Sequence, residues 1–202
     1  MVWMNVTDNV YLQGMNDIDK YVIPILNTED IDGVGFITGH YLITAGHVCV
    51  GTPFLFLKGK KYFLKKETAA IIKTLDAEST FENGYDIAVF RIDDFESPLK
   101  VSSKLILAGD CLTSICRFRE YSAERGEFWT IEEHKGNVTG VMGNFFKCDV
   151  DKTLHEGSSG SPIQRDGEIV GLLCGNFPED PENRILYLGG WAIAKILKTL
   201  ED

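Results

Sequence analysis

Three segments hold residue types that do acid–base and nucleophilic chemistry. The first, Gly33 to Val48, carries two strand-like runs around a tight turn and then His47 just past the second. A histidine at a strand end faces a cleft readily and, with an ordinary pKa near 6.5, serves as a general base near neutrality. The second, Tyr85 to Ile92, opens an apolar strand with Asp86, a position from which a buried carboxylate orients an imidazole and stabilises its cation. The third, His155-Glu156-Gly157-Ser158-Ser159-Gly160-Ser161-Pro162-Ile163, is the most specific. Its glycines allow main-chain conformations in which amide N–H groups converge beside a serine and receive a developing negative charge. Each segment alone also fits a plain structural role: a packed histidine, a strand start, a Gly/Ser turn.

The order His47, Asp86, Ser159 separates the plans by which unrelated folds assemble such a set. In α/β-hydrolases the histidine follows the serine, but His40, His47, His134 and His155 all precede Ser159, and Ser161 occupies the place of the last glycine in Gly-x-Ser-x-Gly. A subtilisin-like order, with Asp30 or Asp32 ahead of the histidine, needs many helices and a longer chain.

The elements that must position these residues read as strands. β-branched and aromatic runs at Tyr21–Ile25, Gly35–Ile37, Tyr41–Thr44, Phe54–Leu57, Tyr62–Leu64 and Ala70–Ile72 end in Gly, Asp, Asn or charged residues. A second series covers Leu105–Leu107, Leu112–Phe118, Phe128–Ile131, Val138–Met142, Phe145–Phe146, Ile169–Leu173 and Ile185–Leu188, with hairpin turns at Lys58–Lys61 and Arg165–Glu168. Many short strands of this spacing predict barrels or sandwiches. Only Trp191–Leu200 has helical spacing, with Ile193, Ile196, Leu197 and Leu200 on one face, predicting an amphipathic helix over 191–201. The polar stretch Asp93–Lys100 marks a boundary between two β units, 1–100 carrying His47 and Asp86 and 101–202 carrying Ser159 and the helix.

Composition narrows the functions. The 202 residues, 44% hydrophobic and 25% charged, are globular in kind. A formal charge of −10 repels phosphates and anionic lipid, so neither nucleic acid nor membrane is an expected partner. No apolar run approaches the roughly 20 residues of a membrane span and the first residues show no leader pattern, so a cytoplasmic protein is expected. Cys49, Cys111, Cys116, Cys148 and Cys174 are odd in number and scattered, which predicts free thiols in a reducing compartment and neither a disulfide framework nor a metal site.

Taken together, Thr44-Ala45-Gly46-His47-Val48, Asp86-Ile87-Ala88-Val89, Gly157-Ser158-Ser159-Gly160-Ser161-Pro162 and Gly190-Trp191-Ala192-Ile193 resemble the trypsin-like (chymotrypsin-fold) serine proteases, nearer the bacterial high-temperature-requirement type and small viral enzymes than secreted digestive ones. The resemblance covers Gly33 to the C-terminus. It implies an all-β chain of two packed six-stranded antiparallel barrels with a C-terminal α-helix, and serine endopeptidase activity through a His47–Asp86–Ser159 triad. It also implies an oxyanion site at the amides of Gly157 and Ser159, no cofactor, and a protein or peptide substrate. Thr153, Cys174, Gly175 and Asn176 would line the substrate site, the last three also pairing with substrate as an added strand. Uncharged Thr153 and Leu173 argue against basic and Gln/Glu preferences and leave a small or medium neutral residue. Ser158 replaces the aspartate of members activated by a freed N-terminus, so activation by N-terminal cleavage is not expected. Cys174 stands where a serine commonly supports the aspartate, which would throw Asp86 onto the amides of Gly46 and His47. The alternative function is a silent or partner-activated peptide-binding module on the same fold.

Overall fold

A computed structural model describes residues 17–27, 33–76, 78–123, 126–150, 154–176 and 185–201. Thirteen strands and one α-helix follow in chain order: β1 (Val22–Ile25), β2 (Gly33–Thr38), β3 (Tyr41–Thr44), β4 (Phe54–Leu57), β5 (Lys60–Phe63), β6 (Ala69–Lys73), β7 (Ile87–Arg91), β8 (Cys111–Ser122), β9 (Gly126–Met142), β10 (Phe145–Val150), β11 (Pro162–Arg165), β12 (Glu168–Asn176), β13 (Ile185–Gly189) and α1 (Gly190–Glu201).

The later strands form a closed antiparallel barrel in the order β10-β13-β12-β11-β8-β9, as the resemblance implies. The earlier strands form a five-stranded sheet, β1-β2-β3-β7-β6, and a separate hairpin, β4-β5. The expected six-stranded N-terminal barrel is therefore not drawn as one closed sheet. A mutual pair of backbone hydrogen bonds between Leu26 and Phe54, both 2.8 Å, ties the hairpin to the end of β1. A 3-10 turn at Lys66–Thr68 separates β5 from β6.

Burial follows from strand alternation. Leu55 and Leu57 of β4 join Ile25, Ile37, Leu42 and Phe90 in the core of the first unit, while Phe146, Ile163, Val170 and Tyr187 fill the barrel. A third cluster runs across both units, from Val34, Phe36 and Val89 to Phe145, Leu172 and Leu188. Helix α1 closes it with Ala192, Ile193 and Ile196 buried and Leu197 and Leu200 partly so, in line with the predicted apolar face. No helix among the described residues is long and apolar enough to cross a membrane.

Two expectations fail. Leu105–Leu107 is not a strand: Leu105 and Leu107 are 63% and 68% exposed, and Asp110 ties the segment into a turn by accepting from the Leu107 amide at 2.9 Å. Phe128–Ile131 and Val138–Met142 are not separate strands but parts of β9. The polar residues between them alternate faithfully, His134 and Gly136 inward, Glu133 and Lys135 outward.

Candidate active site

β3 ends at Thr44, and the chain turns at once into a 3-10 turn, Gly46–Cys49, which swings His47 off the sheet. The turn is possible only because residue 46 is glycine. A Cβ there would lie 2.1 Å from the Lys73 carbonyl oxygen and 3.0 Å from Asp86 Oδ1, so the backbone of β6 and the aspartate press directly on it. Asp86 precedes β7, which pairs with β3, with Thr44 opposite Ala88. That pairing brings the ends of the two strands together. The His47 amide donates to Asp86 Oδ1 at 2.9 Å, and His47 Nδ1 lies 2.6 Å from Asp86 Oδ2. Asp86 is 4% exposed, whereas the His47 side chain is 41% exposed. One carboxylate thus grips both the backbone and the ring of the histidine, leaving Nε2 toward the surface.

Of the two amides expected to support Asp86, that of His47 does so; Gly46 is required for space. Cys174 Sγ reaches the Asp86 backbone carbonyl at 3.8 Å and the Leu172 carbonyl at 3.5 Å. Burial, helped by the charge of Asp86, pushes this thiol well above its ordinary range, and Cys49 is pushed up to about 12 by the same two causes. Both sulfurs beside Asp86 are accordingly neutral thiols. Burial likewise raises Cys116, and raises Cys148 to about 12. At pH 8 a thiol with a pKa of about 12 is ionised to only about one part in ten thousand, and only thiolates react quickly. An aromatic disulfide reagent should therefore modify one thiol rapidly in the native protein, the exposed Cys111, and all five after denaturation. Rapid native modification of Cys49 or Cys174, read by peptide mass, would contradict this.

The serine-bearing loop lies between β10 and β11 and is built from glycines in left-handed conformations, Gly157 at φ +81 and Gly160 at φ +90. Its own hydrogen bonds use the amides of Ser158 (to His155, 3.2 Å), Gly160 (to Leu173, 2.8 Å) and Ser161 (to Ser158, 3.0 Å). Among the described residues, the amides of Gly157 and Ser159 donate to no protein acceptor. The Ser159 carbonyl accepts from Val34 of β2 at 2.7 Å, which fixes the loop of the second unit against the first. The Val34 carbonyl in turn accepts from Thr44 Oγ1 at 2.6 Å, so the strand that leads into the His47 turn and the loop that carries Ser159 share one anchor. Sequence reasoning missed Val34, whose identity gives no signal because its backbone does the work.

Ser158 is 2% exposed, and its hydroxyl is buried without a hydrogen-bond partner. Ser159 is half-buried at the surface of the loop. No hydrogen bond joins Ser159 Oγ to His47 among the described residues. Thr153, expected in the primary pocket, lies outside the described residues. Cys174, Gly175 and Asn176 sit in β12, where Gly175 pairs with Leu186 and Asn176 with Ile185 of β13. The other neighbour, β11, reaches only to Leu172. The edge at 174–176 is thus unpaired on that side among the described residues, as strand addition requires. His155 and Glu156 are exposed. No group of three or more His, Cys, Asp or Glu is placed to hold a metal among the described residues.

This arrangement can be set beside known proteins. The chain superposes on neuropsin, a serine protease expressed in the limbic system of mouse brain, with a TM-score of 0.67 at 13% identity over 93% of this chain and 97% of that one. The fold is that of the chymotrypsin-like serine proteases. The active form of the Rv3671c protease from M. tuberculosis has a TM-score of 0.62 at 16% identity, covering 90% of this chain and 81% of that one. The scabies mite inactivated protease paralogue S-I1 has 0.65 at 13%, covering 92% and 95%. This chymotrypsin-like fold therefore occurs in both active and inactivated proteins at similar distance. In sequence, the chain is 25% identical over 167 residues to the non-structural polyproteins 1A and 1AB of Turkey astrovirus 1. The match spans 81% of the chain but only 13% and 9% of those polyproteins. No protein-family model matches.

Proposed function

We propose that the chain is a serine endopeptidase working through His47, Asp86 and Ser159. The observation that carries the reading is the double hold of Asp86 on His47, 2.9 Å to its amide and 2.6 Å to Nδ1. It selects the tautomer with a proton on Nδ1 and a free lone pair on Nε2. Ser159 Oγ attacks the scissile carbonyl carbon while Nε2 takes its proton, and the carbonyl oxygen becomes an oxyanion. The amides of Gly157 and Ser159, which the loop's own hydrogen bonds leave unused, donate to that oxygen; one such donor is typically worth about 2.7–4 kcal/mol in the transition state. The imidazolium, stabilised by Asp86, returns the proton to the leaving amine. Water then hydrolyses the acyl-enzyme by the same route, with His47 as base. No cofactor enters these steps. The substrate backbone pairs along Cys174–Asn176, and a small or medium neutral residue precedes the scissile bond. Five free cysteines accord with a reducing, cytoplasmic setting, and likeness to a stretch of viral non-structural polyproteins accords with cleavage of a polyprotein.

One observation favours a second reading. Without a hydrogen bond from Ser159 Oγ to His47, the resting chain fits a peptide-binding module that turns over only with a partner, or not at all, although such bonds often tighten only on substrate binding. Intact-mass labelling with a fluorophosphonate separates the two. The expected result is a single adduct that persists in Ser158→Ala and disappears in Ser159→Ala. A folded chain that takes no adduct supports the module.

A further inference from the structure

The hairpin β4-β5 has two faces, and only one is used by the core. Leu55 and Leu57 point inward and are buried. The register pairs Phe54 with Phe63 and Phe56 with Lys61 on the opposite face, where Phe63 is 52% exposed and Phe54 and Phe56 are half-buried. Ring centroids are 5.9 Å apart for Phe54 and Phe56 and 6.1 Å for Phe54 and Phe63. Lys61 Nζ lies 3.6 Å and 4.7 Å from the Phe54 and Phe63 ring centres. Lys65 and Lys66, which follow β5, are exposed, while Lys58 and Lys60 at the hairpin tip turn to the other side, Lys58 Nζ 4.8 Å from the Phe95 ring centre and Lys60 against Asp94. These five lysines, within nine positions, are a quarter of the chain's 20 basic residues, in a molecule of net charge −10. Among the described residues only Lys60 of these is neutralised, by Asp94. A sheet face of three phenylalanines edged with unpaired lysines contributes little to the core, and such exposed patches mark interaction sites.

We propose that this face binds single-stranded nucleic acid. Unstacked bases lie on Phe54, Phe56 and Phe63, and the phosphates run along Lys61, Lys65 and Lys66. The aromatic platform with a lysine margin is the chemistry by which sheets hold single strands, and bases inside a duplex cannot reach such rings. An acidic polypeptide would engage the lysines and leave the rings idle. An anionic membrane is disfavoured by geometry, because the hairpin tip is Lys58-Gly59-Lys60 and the phenylalanines lie behind it on the flat. The proposal departs from the expectation drawn from net charge, which averages over a local patch shorter-ranged than the molecule; at physiological salt, charges beyond about 8 Å are largely screened. None of these residues belongs to the His47, Asp86 and Ser159 site.

Fluorescence anisotropy with a labelled oligouridylate 12-mer and the full chain tests the proposal. At 50 mM salt, saturable binding in about the micromolar range is expected, and its logarithm should fall against log salt with a slope of about −2 for three lysines. Phe63→Ala should weaken binding about tenfold or more while Phe63→Trp, which keeps a stacking ring, restores it. Lys61→Glu with Lys65→Glu should abolish binding, and Lys104→Glu, outside the patch, should change it less than twofold. Melting curves show whether each variant is folded; if Phe63→Ala is not, Phe63→Trp and the lysine pair still decide. The proposal is overturned by absent binding, by equal affinity for polyglutamate or phosphatidylserine vesicles, or by a Phe63→Ala variant that melts lower yet binds unchanged, which would make the rings a hairpin clasp only.

Discussion

Asp86→Asn is expected to lower kcat for peptide hydrolysis by about four orders of magnitude while leaving the fold in place. The side chain is 4% exposed and its two oxygens have separate tasks, one accepting from the His47 amide and one facing Nδ1. An asparagine can keep one of these contacts through its oxygen but presents an NH2 to the other. Because the amide of His47 can only donate, the Asn oxygen goes there and the NH2 faces Nδ1. That reverses the imidazole tautomer: the proton moves to Nε2, where the base should be, and no counter-charge remains for the imidazolium. The loss should fall on kcat and kcat/KM alike, since the interaction strengthens only as charge develops. Raising the pH assists nucleophilic attack without the histidine, so the deficit should narrow in alkaline solution. A variant retaining more than about a tenth of parent activity, with an unchanged melting curve, would mean that His47 is not the base.

The places of the candidate residues in the fold were more legible in the sequence than the architecture around them. His47 and Asp86 stand at the ends of paired strands, and the continuous apolar runs of Tyr41–Thr44 and Ile87–Arg91 made those strands readable. The loop at Gly157–Pro162 was readable because positive-φ turns demand glycine. What escaped notice rests on backbone groups or on unusual residues at inward positions. Val34 anchors Ser159 through its amide, and any residue has an amide. β9 was broken in two because its inward positions include His134 and Gly136; at Gly136 a Cβ would lie 2.9 Å from both the Asp149 carbonyl oxygen and Val150 Cγ1, so the smallest residue marks close approach, not a turn. Leu105–Leu107 was mistaken for a strand because apolar content alone cannot show that a partner strand is missing. The hairpin β4-β5 was found correctly, but summed charge concealed the difference between its faces.

The second large effect is expected of Gly160→Ala, which should destabilise the chain by about 3 kcal/mol or more and reduce fluorophosphonate labelling at least about a hundredfold. Two costs combine at this residue. Its φ of +90 is a conformation that L side chains resist, and the added Cβ would sit 1.8 Å from the Val34 carbonyl oxygen and 2.6 Å from Thr44 Oγ1. Neither neighbour can retreat cheaply, because the Thr44 hydroxyl is bonded to that carbonyl at 2.6 Å and Val34 lies within β2. The loop must move instead, and its movement breaks the 2.7 Å bond from the Val34 amide to the Ser159 carbonyl and the 2.8 Å bond from the Gly160 amide to Leu173. On the proposed mechanism Ser159 is then misplaced for attack, and a misplacement of about 1 Å already costs on the order of a hundredfold. Two other glycines divide the effect. Gly109→Ala has a φ of +93 but nothing within 4 Å, so it reports backbone strain alone, about 1–2 kcal/mol. Gly140→Ala meets nothing within 4 Å and has no positive φ, so it should be close to neutral. Urea unfolding and labelling rates on the three variants give the comparison: if Gly160→Ala loses no more stability than Gly109→Ala and labels at the parent rate, the contact between the serine loop and β2 does not position the nucleophile.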